Sequence, residues 1–508
     1  MPFSESPSLP RLPSLAFFQR LAFFRKTRLV TEATLSFRDP DGSCMRFGDR
    51  IIRFVYPAAA TRVREFLASD FTRQLLEEKV LPATRLLPQD EFAELLALGQ
   101  FAKSKNSFAG GLALEHERIV FPSYPFEWCP EMLFAAAELT LTLQLRALAA
   151  GLTLKDATPL NLLFRGAQPV FVDFLSFSPR SPGAVTWSAY AQFVRTFLFP
   201  LMLSKWQGNP LADHFLANSD GLVPAEVYQR LTALGRIRPL ALQYVSLPTW
   251  LGGMATAETA RTTDGEKTDD PERALYVSQA LVRGLARALH QLKPKQPGAS
   301  VWANYMDTFS YQDETFAAKQ SFVREALREL APSTVLDIGC NTGYFSCLAA
   351  ELGASVVALD SDVNVVSKLW LRSLTENRSV LPLVMDFSRP SPGLGWRNSE
   401  KMSFLARARG NFDAALLLAV VHHLTVTHAV PLEDVFEVCA DIVTQGVIVE
   451  FVPPEDPMWI KIGRNKEHLV PRLQQANFDA AYGPWFTLVR RLQLPASSRW
   501  IYFLRRKA

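Results

Sequence analysis

The stretch Thr334-Val335-Leu336-Asp337-Ile338-Gly339-Cys340-Asn341-Thr342-Gly343-Tyr344-Phe345-Ser346 constrains this chain more than any other. Strand-type residues run into Asp337 and two glycines, and helical apolar spacing (Phe345, Leu348, Ala349, Leu352) begins at once, as at the start of a parallel βαβ unit. The turn between the two faces a ligand in such units. A dinucleotide would require G-x-G-x-x-G, so that backbone amides can approach a pyrophosphate. Counted from Gly339, the other two glycine positions hold Asn341 and Tyr344.

Asp337 argues in the same direction, because a strand-end carboxylate repels a pyrophosphate and suits a ligand carrying an ammonium group. S-adenosylmethionine is such a ligand: it has no phosphate, a methionine amine, and a ribose that calls for a carboxylate one strand later. Ser355 to Leu359 is a short apolar strand ending in Asp360, 23 residues after Asp337, close to the roughly 20-residue spacing at which an acid meets a ribose hydroxyl. Leu336 to Gly343 read LDIGCNTG, and here the chain resembles the class I S-adenosylmethionine-dependent methyltransferases over about residues 300 to 508. The resemblance implies a Rossmann-like seven-stranded sheet, S-adenosyl-L-methionine as cofactor, and Asp337, Gly339, Asn341, Gly343 and Asp360 as cofactor-binding residues. The alternative is a sheet of this type that has lost its ligand, with Asp360 serving only turn chemistry.

A chain of 508 residues exceeds the roughly 250 to 300 at which one core stops growing, so at least two domains are expected. Composition shifts divide it into an α+β domain over 1–253, a linker and helix over 254–298, and an α/β domain over 299–508. A hydrophobic share of 48% with 20% charged residues excludes a disordered chain, and a net charge of +4 gives no case for nucleic acid. Five cysteines without a C-x-x-C pair argue against a disulfide framework or zinc site and predict a reducing, cytoplasmic setting. Leu133 to Leu152 comes nearest to a transmembrane span but carries Glu138 and Arg146, so it reads as a helix with a buried face. The amphipathic segment Leu12 to Lys26 reads as a helix packed on its own domain, or as one docking on a membrane surface or partner.

In the first half, residues 29 to 56 predict a β-hairpin turning at Asp39-Pro40-Asp41-Gly42, followed by helix over Thr61 to Leu86, strand over Ala113 to Phe121 and helix over Glu131 to Ala150. Next comes Asp156-x-x-x-x-Asn161, two short strands and Asp173-Phe174, a pattern that resembles the catalytic-loop and metal-binding segments of the protein-kinase and aminoglycoside-phosphotransferase superfamily. That resemblance implies Asp156 as the catalytic aspartate and Asn161 and Asp173 as magnesium ligands, should this half be an active kinase. The departures are that no His or Arg precedes Asp156, Leu175 follows Asp173-Phe174, and residues 1 to 110 hold no glycine-rich loop or VAIK-type lysine. The plain alternative makes Asp156 a turn cap and Asp173 a strand end.

In the second half, Trp302 and Tyr305 are candidates for a lid or for ordinary packing. Leu381 to Val384 leads to Asp386, where class I relatives often place an acid near the adenine amine; a polar turn residue is the alternative. The apolar run Asp413 to Val421 predicts a strand covered on both faces and ending at His422-His423. Either histidine is a candidate base should the acceptor enter protonated, or else a pocket wall. Val447 to Val449 ends at Glu450, a candidate to orient the acceptor. Phe486 to Leu492 and Arg499 to Leu504 predict a closing hairpin. The Asp156 loop, Pro169 to Asp173, Trp302 to Tyr305, Pro390 to Trp396 and Val421 to Leu424 together resemble bacterial nodulation-type methyltransferases across most of the chain. The leading reading is a methyltransferase acting on a small molecule or glycan, with the first half recognising the acceptor. A bifunctional kinase-like methyltransferase and a non-catalytic scaffold remain as alternatives.

Overall fold

The computed structural model describes residues 32–36, 38–98, 108, 110–252, 268–295, 298 and 313–507. The Leu12 to Lys26 segment and the Trp302 and Tyr305 candidates lie outside the described residues. The chain divides into two compact units, residues up to 60 with 84–118, and 61–83 with 119–508; the described residues of the 254–298 connection fall within the second.

The first unit is an antiparallel sheet of β1 (Glu32–Ser36), β2 (Gly42–Phe47), β3 (Arg50–Val55), β4 (Thr84–Leu86) and β5 (Leu112–His116), ordered β1-β2-β3-β5-β4. Ile52, Phe54, Phe108 and Ala113 form its core with Phe92 and Leu95 of helix α1 (Gln89–Leu98). The expected hairpin is thus a three-stranded meander. Gly48 at φ +59° opens a two-residue turn that lets Phe47 pair Arg50, a conformation that costs a glycine nothing. The helix expected over Thr61 to Leu86 is also corrected: Pro57–Ala68 and Asp70–Glu77 are helical, with Ser69 Oγ capping the second at Thr72 N, but Thr84–Leu86 pairs with β5 as a strand.

In the second unit, α2 (Pro130–Ala149) is long and apolar enough to cross a membrane, yet most of it is buried in the protein, including Met132, Leu133, Ala136 and Leu143. Gln144 in its last turns accepts from the Leu154 amide, which fixes β6 (Leu152–Leu154) against the helix end. Strand β6 pairs with β9 (Phe177–Pro179), and between them lies the hairpin of β7 (Leu162–Arg165) and β8 (Gln168–Phe171). Short helical segments fill Tyr190 to Gly252, and α3 (Pro271–Gln291) packs along α2.

The rest of this unit is α/β. Helix α4 (Asp313–Leu330) leads into β10 (Thr334–Ile338), α5 (Tyr344–Glu351), β11 (Ser355–Asp360), α6 (Val363–Thr375), β12 (Val380–Val384), β13 (Phe412–Leu417), α7 (Leu432–Ile442), β14 (Val443–Phe451), β15 (Phe486–Gln493) and β16 (Trp500–Arg506). The sheet order is β12-β11-β10-β13-β14-β16-β15, with β10 to β14 parallel and β16 antiparallel to both neighbours. This is the expected Rossmann-like seven-stranded sheet with its closing hairpin. Val335, Val356, Ala414, Ile448 and Phe503 lie in one core with Val323 and Leu327 of α4 and Leu348 of α5. The strand order reverses between β10 and its neighbours β11 and β13, and the carboxyl ends there open a crevice suited to a ligand.

Candidate functional site

A cavity of about 340 Å³ occupies that crevice. Acidic side chains from three neighbouring strand ends line it: Asp337 on β10, Asp360 on β11, and Asp386 just beyond β12. Each arrives there because a parallel strand ends in a turn that cannot continue the ladder.

The turn after β10 is built for close approach. Gly339 has φ +73°, and a Cβ added there would stand 3.0 Å from Val420 Cγ2. Asn341 has φ +50°, a left-handed conformation tolerated by asparagine, and its amide donates to Asp360 Oδ2 at 2.9 Å. The Gly339 and Cys340 amides both donate to the Leu359 carbonyl at 2.9 Å, binding the turn to the end of β11. Gly339 and Asn341 line the cavity; Gly343 at φ +77° lies behind them, where its missing side chain leaves room for Leu369 of α6.

The three carboxylates differ in setting. Burial is the main reason that Asp337 is pushed up to about 6; neighbouring Asp360 adds to this, while the 2.5 Å hydrogen bond from Ser346 Oγ and the Lys319 charge oppose it. Asp360 is also raised by burial, although the Asp362 and Asn341 amides donate to it. Asp386 is held below its usual range despite partial burial, because the Ser388 amide and hydroxyl donate to Oδ1 and Arg389 donates to Oδ2.

Strand β13 stops at Leu417, short of the expected Val421. Ala419 turns to φ +55°, a costly conformation for a residue with a Cβ, and so brings His423 to the cavity wall. His423 is partly buried and depressed below 6.5, mainly by burial and then by His428 and Arg499, so it is neutral at pH 7. The His422 ring lies beside it, tilted by 41° with ring centroids 4.2 Å apart, but it is buried, does not line the cavity, and neither ring nitrogen has a hydrogen-bond partner.

Glu450 does not end its strand, since β14 runs on through Phe451, and instead of facing the crevice it is fully buried. Lys319 pairs with Oε2 and Arg499 lies 3.3 Å from Oε1, while Arg499 Nε also donates to Asp456 at 2.8 Å. Lys319 is the member of this network that reaches the cavity, 5.4 Å from the Phe345 ring centroid. Sequence reasoning gave it no role, because its partner lies 131 positions away in the chain. Phe316, Tyr344, Phe345 and Phe387, which supply aromatic wall, were likewise not assigned. A cavity with three acids, one buried lysine and aromatic walls suits a ligand with a cationic group and hydroxyl or amine donors, and is hostile to phosphates.

In the first half of the chain, Asn161 and Asp173 flank the β7–β8 hairpin at its open end, where Leu162 pairs with Phe171 and the Val172 amide donates to the Asn161 backbone carbonyl at 2.8 Å. Asp156 is exposed, and its amide lies 3.3 Å from Ser176 Oγ.

Comparison with known proteins places the site in a family. A methyltransferase domain model matches residues 311–481. The nodulation protein NoeA of Rhizobium meliloti (strain 1021) is 31% identical over 479 residues, covering 93% of this chain and 95% of that one. The O-antigen chain terminator bifunctional methyltransferase/kinase WbdD of Escherichia coli is 30% identical over 132 residues, 25% of this chain and 16% of its own. Among solved structures, the N-methyltransferase NodS of Bradyrhizobium japonicum WM9 aligns with 39% of this chain and 99% of its own at 12% identity and a TM-score of 0.29. The magnesium protoporphyrin IX methyltransferase of Synechocystis PCC 6803 aligns with 39% and 86% at 17% identity and a TM-score of 0.28. With its near full-length match to NoeA and its seven-stranded Rossmann-like sheet, the chain belongs to the nodulation-type family of class I methyltransferases.

Proposed function

We propose that this methyltransferase uses S-adenosyl-L-methionine to methylate a small-molecule or glycan acceptor in the cytoplasm, with residues 1–253 recognising the acceptor and 299–508 forming the transferase. The observation that carries the reading is the meeting of Asp337, Asp360 and Asp386 in one cavity around a turn that offers no phosphate cradle. The residues fit the cofactor: Asp337 suits the amine, Asp360 the ribose hydroxyls and Asp386 the adenine amine, while Gly339, Asn341 and Gly343 give the turn its shape. The bound sulfonium supplies an already activated methyl group. The chain's own task is alignment and, for an acceptor that enters protonated, removal of a proton. Neutral His423 on the wall suits that task; His422 backs it, and Glu450 holds Lys319 in place.

A second reading adds phosphoryl transfer in the first half. It is favoured by the β7–β8 pairing, which sets Asn161 and Asp173 at one end of the hairpin, and by Ser176, which accepts from the Asp156 amide and donates its own amide to the Asp173 carbonyl; it is opposed by the missing glycine-rich loop. Calorimetric titration with S-adenosylmethionine and separately with Mg-ATP tests both readings. S-adenosylmethionine should bind, and Asp360→Ala should weaken it at least about tenfold, as expected for losing hydrogen bonds to a charged group. Unchanged affinity in Asp360→Ala would remove the ribose assignment. Mg-ATP binding abolished by Asp173→Ala would establish the second reading, and its absence in wild type would end it.

A further inference from the structure

The wall carrying Asp386 and Phe387 opens a long irregular loop that runs to Ser403, with only the Leu394–Lys401 bridge and one short turn of helix inside it. Such a loop does not hold its own shape and must be held from outside. What holds it is a segment from the first half of the chain. Glu127 forms a buried ion pair with Arg407, both side chains being almost wholly sequestered from water. Ser391 Oγ joins them, donating to Glu127 Oε1 at 2.5 Å and accepting from Arg407 Nη2 at 3.2 Å. Arg407 also donates to the Pro122 carbonyl at 2.5 Å and to the Met402 carbonyl at 3.2 Å, and its guanidinium lies 4.8 Å from the Phe121 and Tyr124 ring centroids. Tyr124 Oη accepts from the Met402 amide at 3.1 Å, and the Phe404 amide donates to the Ser391 carbonyl at 3.0 Å.

The connection from this cluster to the cavity is short. Asp386 accepts from Ser388 and Arg389, fixing a turn whose last residue, Arg389, stands two positions before Ser391. Phe387 meets Phe404 edge-on with ring centroids 6.4 Å apart, and Phe404 packs on Phe121 at 5.6 Å. A buried charged pair is weak evidence for stability, since a well-packed apolar pair serves as well; its better-attested use is to fix register. Glu127 is fixed within its own segment by the Tyr124 amide, which donates to Oε2 at 3.0 Å, so its contacts with the Ser391 hydroxyl and the Arg407 guanidinium pin the loop at one position.

We propose that Glu127, Arg407 and Ser391 form a positioning brace through which residues 121–127 set the Asp386–Phe387 wall, and with it the discrimination of a 6-aminopurine ring from one without the amine. The inference rests on the cofactor reading above. None of the three lines the cavity; each acts through Asp386 and Phe387.

The test is calorimetry of the full-length protein with two probes, S-adenosylhomocysteine and its inosine counterpart, which lacks the adenine amine. Wild type should prefer the adenine form. Ser391→Ala should cut that preference by about fivefold and Glu127→Gln by about tenfold or more, through weaker binding of the adenine form alone. Ser391→Thr, which keeps the hydroxyl, should restore it. Glu131→Gln serves as the control, because Glu131 lies on the same stretch but accepts from Ser367 Oγ, away from the loop; its preference should be that of wild type. Equal loss for both probes, or loss of melting temperature without change in preference, would make the cluster structural and overturn the brace. Should Glu127→Gln fail to fold, Ser391→Ala decides, as it removes a single hydroxyl. Wild type that binds neither probe would overturn the cofactor reading itself and the brace with it, whereas wild type that binds both with unchanged variants would overturn the brace alone.

Discussion

Asp337 is a carboxylate held where water does not reach it, and that setting makes a pH prediction. Its folded-state value of about 6 stands above the ordinary 3.8, so the folded protein binds this proton more readily than the unfolded chain. The stability it contributes is therefore present below about pH 4 and lost as pH rises through 6, a difference of roughly 3 kcal/mol at full extent. Asp337→Asn, which removes the buried charge and keeps an acceptor for Ser346, should melt higher than wild type at pH 8 and at the same temperature near pH 4. A ligand ammonium favours the ionised form, so S-adenosylhomocysteine affinity should fall in wild type as pH drops below about 6, and be weak at every pH in Asp337→Asn. Parallel melting curves at the two pH values would refute the assignment. Asp337, Asp360 and Asp386 were legible in the sequence because each follows an apolar run of strand length, and strand ends in a parallel sheet share one side. Lys319 was not, because it belongs to a helix before the sheet and acquires meaning only from Glu450 and Arg499, which long-range pairing brings to it.

At the scale of elements, the parallel strands were legible because residues covered on both faces read as unbroken apolar runs. Their ends were less so. The run Ala414 to Val421 is apolar throughout, and nothing in its composition marks the left-handed Ala419 at which β13 has already ended. The meander in the first unit was read as one hairpin because the Gly48-Asp49 turn is only two residues long and leaves the apolar alternation almost undisturbed. A test at this scale is Gly343, whose missing side chain lets the first turn of α5 lie on α6. A Cβ there would overlap Leu369 Cδ1, and φ is +77°. Gly343→Ala should lose about 1–2 kcal/mol to backbone strain and a further 1–3 to overpacking. Gly353, at φ +98° with nothing within 4 Å of an added Cβ, isolates the first term, and Gly353→Ala should lose only that part. Urea denaturation measures both, and equal midpoints for the two variants would show that α6 yields at no cost.

At the scale of the whole molecule, residues 119–131 matter most, because composition gave no sign that they pack against side chains some 280 positions later. The resemblance to class I methyltransferases begins near residue 300, while the second compact unit continues back through 119–253 to 61–83. Phe121 is almost fully buried and lies 5.6 Å from both Phe404 and Phe412, and Glu127 neutralises Arg407 in the interior. A chain cut to 299–508 would keep the whole sheet but leave Arg407 without its partner and two phenylalanines without their cover. Removing one member of a buried ion pair costs about 3–5 kcal/mol, and the lost aromatic packing adds to that. Typical domain stability is only about 5–15 kcal/mol, so these losses consume a large part of it. The truncated chain should therefore denature at markedly lower urea than the full protein and bind S-adenosylhomocysteine weakly. Arg407→Met in the truncated chain should recover part of the stability, because it removes the orphaned charge. A 299–508 chain as stable and as tight-binding as the whole would show instead that the packing of 119–131 against this sheet contributes neither stability nor shape to the site.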